Sequence, residues 1–122
     1  MEQAVFEIKK NPVGRYYFIF KDQQDQGLVV SKSFPDRSQL EICIAGIRDT
    51  APIAAVFEIE EKQLPQFFIE TKNNGYIFFL KGFDGNLILV SDPYQDKSEC
   101  IKAIECLKNL AFNAGIKDSA ML

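Results

Sequence analysis

Two serines stand at matching places in this chain, each three residues before an aromatic ring: Ser31 before Phe34 and Ser91 before Tyr94. An aspartate follows each, Asp36 and Asp96. Serine near carboxylate suggests nucleophilic chemistry, but the usual triad needs a histidine to carry the proton, and the chain has none. The same absence removes the commonest transition-metal ligand. A hydroxyl that stabilises a loop by hydrogen bonding explains the serines without a further partner. Asp36 and Asp96 look like helix starts, where a carboxylate accepts from the free amides of the first turn.

The thiols are the next candidates. Cys43, Cys100 and Cys106 all fall on predicted helices, and the last two are six apart, which is not a same-face ligand spacing. Buried free cysteine behaves as a small hydrophobe, and a reactive thiol needs a setting that lowers its pKa. Cys100, near a helix start, is the one thiol with any such claim. The acidic stretch Glu58-Ile59-Glu60-Glu61 could attract a cation, yet it lacks the ligand spacing of a calcium loop. No metal or cofactor is expected. Lys81-Gly82-Phe83 resembles the start of an RNA-recognition signature, but Asp84-Gly85 breaks it with an acidic turn.

The second predicted strands are apolar on both faces, with Tyr16-Tyr17-Phe18-Ile19 in one half and Tyr76-Ile77-Phe78-Phe79 in the other. If helices cover one face, the other exposes aromatic rings. Tyr16, Tyr17, Phe78 and Phe79 are therefore the candidate interaction face. The face carrying Phe6 and Ile8 belongs under the helices, with Glu7 and Lys9 opposite.

These residues sit on elements that occur twice. The two halves align with an offset of 61 residues and then 60, pairing Phe6, Ile8, Gly14 and Phe18 with Phe67, Ile69, Gly75 and Phe79. Val30, Ser31, Asp36, Ser38, Ile44, Ala51 and Ala54 pair with Val90, Ser91, Asp96, Ser98, Ile104, Ala111 and Ala114. Each half reads as three strands, a helix and a closing strand. The first strands are Ala4–Lys9 and Gln66–Thr71, followed by turns ending at Gly14 and Gly75, where glycine supplies a positive φ. The second strands are Arg15–Phe20 and Tyr76–Leu80, and the third are Leu28–Val30 and Ile88–Val90. Asp84-Gly85 is a hairpin signal. Leu40, Cys43, Ile44 and Ile47, and then Cys100, Ala103, Ile104, Leu107 and Ala111, form apolar stripes at helical spacing. Pro52 ends the first helix, and Ala54–Glu60 reads as its closing strand. Gly115–Asp118 is the weaker counterpart.

The bulk numbers agree with a cytoplasmic globular domain. The chain has 122 residues, 47% apolar and 25% charged, with 11 Phe, 4 Tyr and no Trp. That length suits one domain, and a lone half would be marginal. The net charge of −3 argues against nucleic acid and anionic membrane as partners. Met1-Glu2-Gln3 is not followed by a basic and apolar leader pattern, and the apolar runs are strand-sized. An odd number of cysteines fits a reducing compartment.

The pattern resembles the YegP-like family, whose function is unknown. The resemblance rests on Phe6-Glu7-Ile8 and Phe67-Phe68-Ile69, Gly14 and Gly75, Asp84-Gly85-Asn86, Ser31 and Ser91 before their aromatics, and Gly46-Ile47. Two departures stand out: Gln24-Asp25-Gln26-Gly27 replaces the Asn/Asp-Gly turn, and Cys106 replaces Gly46. The resemblance implies an α+β fold of two tandem β-β-β-α-β units (about 4–60 and 66–119) in one domain spanning 1–122. The units would form one pseudo-two-fold antiparallel sheet with two helices on one face and with their last strands exchanged. It implies no catalytic residues. The expected function is a non-catalytic binding module using the open sheet face, as a monomer or weak homodimer with a protein partner. The alternative is a ligand-binding protein or enzyme with a pocket between the halves.

Overall fold

The computed structural model describes residues 3–120. Met1 and Glu2, part of the expected absence of a leader, lie outside the described residues. The strands are β1 (Val5–Lys10), β2 (Tyr16–Lys21), β3 (Gly27–Val30), β4 (Ala55–Phe57), β5 (Gln66–Lys72), β6 (Gly75–Lys81), β7 (Leu87–Val90) and β8 (Gly115–Asp118). The helices are α1 (Arg37–Thr50) and α2 (Lys97–Leu110). Each helix runs on into a short 3-10 turn, Ala51–Ile53 or Ala111–Asn113, so the chain tightens at Pro52 and does not stop there.

The strands form two four-stranded mixed sheets, in the orders β3-β2-β1-β8 and β4-β5-β6-β7. This corrects the single antiparallel sheet expected from the sequence. Each helix carries the chain across to the other sheet, where the strand that follows it lies at an edge and parallel to its neighbour: β8 to β1, and β4 to β5. No ladder joins β4 to β8. β4 is also shorter than the expected Ala54–Glu60. The chain beyond Phe57 is drawn away by side chains, since Gln66 bonds both the amide and the carbonyl of Glu61 (2.9 and 2.6 Å).

Side-chain alternation sends Phe6, Ile8, Phe18 and Phe20 inward from one sheet and Phe67, Ile69, Phe78 and Leu80 inward from the other. The stripes of α1 (Leu40, Cys43, Ile44, Ile47) and α2 (Cys100, Ala103, Ile104, Leu107) complete the same core. Edge-to-face rings at Phe6–Phe18 (5.1 Å) and Phe67–Phe78 (5.8 Å) lie at matching places. Helix α1 packs on β2 and β7, and α2 packs on β6, so α1 bridges both sheets.

The register corrects the alignment. Ile8 faces Phe18 and Ile69 faces Phe78, so Phe18 corresponds to Phe78, not Phe79. The one-residue slip falls in the β1–β2 connection, which spans 11–15 in the first half but only Asn73-Asn74 in the second. Asn73 and Asn74 take the positive φ of that tight turn (50° and 65°). Gly75 does not. It is needed for room, because a Cβ there would lie 3.2 Å from the Pro93 Cβ and from the Tyr94 carbonyl. Gly14 does adopt a positive φ, of 85°. In the β2–β3 turn Asp25 takes φ 65°, where Gly85 takes 81° in the β6–β7 turn.

Candidate functional site

The helix starts differ. Asp36 caps α1 by accepting from the Gln39 amide at 2.9 Å, whereas the Asp96 carboxylate makes no such bond to α2. Each serine is buried and its Oγ accepts the amide of the facing strand at 2.9 Å, Ser31 from Phe18 and Ser91 from Phe78. Both hydroxyls are therefore structural links between the strand end and β2 or β6.

The thiols are free and do not converge. Burial pushes Cys43 and Cys100 up to about 11 and raises Cys106 as well, so all three are protonated near neutrality. Among the described residues no cluster of His, Cys, Asp or Glu could hold a metal. The acidic stretch is tied to cations of its own chain, with Glu58 paired to Lys97 and Glu60 to Lys81.

The four candidate aromatics separate by register. Phe78 is fully buried in the core and Tyr16 packs against that core, so neither lies on an open face. Tyr17 and Phe79 point away from the helices but are only half-exposed. The outer face is itself partly covered. Phe68 stacks on Phe79 (4.7 Å, 10° between planes) and is 3% exposed. Lys81 lies 5.8 Å over the Phe68 ring. On the other sheet the outward position next to Ile19 is Glu7, which is 5% exposed. Its carboxylate meets Lys21 at 2.8 Å and accepts from the Ser119 hydroxyl at 2.7 Å. Lys21, and after it Ser119, hold Glu7 down at about 2.

The exposed apolar chains gather elsewhere. Ile42 of α1 is 71% exposed and Leu87 of β7 is 52% exposed, and they border a groove of about 290 Å³ between the two halves. Buried Cys43 and half-buried Phe34, Gly46 and Ile88 line it, with exposed Gln39 and Lys32 at its rim. The Cys43 thiol donates to the Ile88 carbonyl at 3.2 Å. Gly46 leaves space there, since a Cβ would come 3.3 Å from Ile88 Cγ2.

The corresponding place in the other half is narrower. Lys102 stands where α1 has Ile42, Cys106 where it has Gly46, and Tyr94 where the first half has Phe34. The Tyr94 hydroxyl reaches across and donates to the Leu28 carbonyl at 2.5 Å, leaving a hollow of about 100 Å³. The sequence carried a signal for this difference: Ile42 lies off the apolar stripe, and Gly46 interrupts a helix that its counterpart fills with Cys106.

The fold and site define a small α+β domain with a side groove and no gathered catalytic groups among its described residues. The family described as "Domain of unknown function (DUF1508)" matches residues 71–118. The chain is 26% identical over 113 residues to the UPF0339 protein YegP of Yersinia pestis, covering 93% of each chain. Its fold is that of the protein of unknown function yegP from E. coli, known from a solution NMR structure. The TM-score is 0.77 at 20% identity, covering 100% of this chain and 97% of that one. A UPF0339 protein of Shewanella oneidensis is similar too, with TM-score 0.76, 18% identity, and 98% and 93% covered. The chain is thus similar, in its second half and in its whole fold, to YegP-like proteins of unknown function. None of the described helices is long and apolar enough to cross a membrane.

Proposed function

We propose that the protein is a small non-catalytic binding module whose contact surface is the groove between α1 and β7. The observation that carries this reading is the exposure of Ile42 and Leu87 at 71% and 52% beside a concave apolar floor. Concave apolar sites with a few polar groups at the margin are the usual form of binding pockets. The outer sheet face is less suited, because its outward-pointing Phe68 and Glu7 are already buried.

On the same reading the chain is a duplicated unit whose halves exchange their last strands, as the pairing of β8 with β1 and of β4 with β5 supports. It works in the cytoplasm, in keeping with its three free cysteines, as a monomer or weak homodimer that binds neither nucleic acid nor membrane. The test uses a neutral environment-sensitive dye such as Nile red. The wild-type chain should bind it at one site, and Ile42→Asp should abolish binding with an unchanged circular dichroism spectrum. Undiminished dye binding by Ile42→Asp would overturn the assignment.

A further inference from the structure

We propose that the α1–β7 groove takes the hydrocarbon chain of a small aliphatic carboxylate, with Lys32 holding the anionic head. This rests on the reading of the groove as the contact surface and names its ligand. The apolar lining (Phe34, Ile42, Cys43, Leu87, Ile88) offers carbon and a protonated thiol. Contact with them stabilises a chain by removing apolar surface from water. A head group must then lie at the rim, where Lys32 is the one charged lining residue. Its ammonium lies 5.6 Å over the ring of Phe34, itself a lining residue, and among the described residues no carboxylate pairs with it.

The other half supplies the contrast. Asp92 replaces Lys32 there, and the hollow is the smaller one. The cation thus accompanies the open groove, on a chain whose net charge is −3. An extended peptide adding to the edge of β7 fits less well, because the Ile88 carbonyl already accepts from Cys43. A cationic amphiphile would meet Lys32 with like charge.

Octanoate, octanol and octyltrimethylammonium, titrated separately into the labelled protein below their aggregation concentrations, distinguish the possibilities by amide chemical shifts. Octanoate should move the Lys32, Ile42, Gly46 and Leu87 signals and bind about fivefold tighter than octanol, the scale of a solvent-exposed ion pair. Lys32→Gln should bring octanoate down to octanol's affinity. Ile42→Asp, an exposed substitution that spares the fold, should weaken both. Equal binding of octanol and octanoate, unaffected by Lys32→Gln, would sink the anion assignment while the groove reading stands. Tighter binding of octyltrimethylammonium would sink it too. If no chain shifts these signals, both the assignment and the groove reading fall.

Discussion

Arg48 of α1 donates its guanidinium to the main-chain carbonyl of Ala114, just ahead of β8, across 66 positions of sequence. The same contact occurs in reverse: Lys108 of α2 donates to the carbonyl of Ala54, just ahead of β4. Each helix thereby fixes the entry of the closing strand that belongs to the opposite helix. Burial lowers the pKa of Lys108, and the Arg48 guanidinium lies 5.7 Å over the Phe6 ring.

Removing either cation should loosen this cross-connection. Arg48→Ala and Lys108→Ala should each destabilise the fold by about 1–3 kcal/mol, the scale of a charge-assisted hydrogen bond with its carbonyl left unpaired. Urea unfolding checks this, and a loss no larger than that of a neutral surface substitution would show the contacts to be incidental.

The serines make a second pair. Ser31→Ala and Ser91→Ala each leave a buried amide, of Phe18 or Phe78, without its acceptor. A loss of about 1–3 kcal/mol each is expected, along with faster hydrogen exchange at that amide. If the double substitution is as stable as wild type, the hydroxyls do not hold these strands.

The aromatics of β2 and β6 should divide as their burial divides them. Phe78→Ser opens a cavity in the core and should cost at least about 3 kcal/mol. Tyr17→Ser, on the half-exposed outer face, should cost about 1 kcal/mol or less. Thermal or denaturant midpoints of the two variants give the comparison, and equal costs would contradict the register described above.

Glu7 predicts an acid limb. Its carboxylate is held at about 2 against an ordinary 4.5. A depressed carboxylate contributes stability that is fully present above its unfolded-state pKa. That contribution therefore declines as the pH falls from about 4.5 towards about 2. Glu7→Gln should be less stable at pH 7 by about 1–3 kcal/mol, and its urea midpoint should fall less between those pH values. Parallel pH profiles for the two proteins would refute the assignment.

The first half alone, ending at Lys62, lacks β8 as partner for β1 and lacks the sheet that β4 joins. It should not form a stable monomer, since a chain of about 60 residues is already marginal. A monomeric fragment with full cooperative stability, measured by ultracentrifugation and urea unfolding, would contradict the shared core.

Much of this architecture follows from local pattern. The apolar spacing of Leu40, Cys43, Ile44 and Ile47 allows a helix only one buried stripe, and alternation in β1 puts Phe6 and Ile8 inward and Glu7 and Lys9 outward. Short-range chemistry also placed the turns and the Asp36 cap, because a side chain reaching an amide three residues on needs nothing from the rest of the chain. The phase of β2 and β6 was not legible in this way. Two apolar faces allow two alternations, and only the pairing of Ile8 with Phe18 and Ile69 with Phe78 chooses between them. The Asp96 side chain forms no cap although its sequence setting matches that of Asp36. The two-sheet arrangement depends on where each helix returns the chain. The groove depends on Ile42 of α1 and Leu87 of β7 meeting across 45 positions. Residues so far apart carry no mutual signal in sequence, since their proximity comes from helix packing rather than from either strand or helix alone.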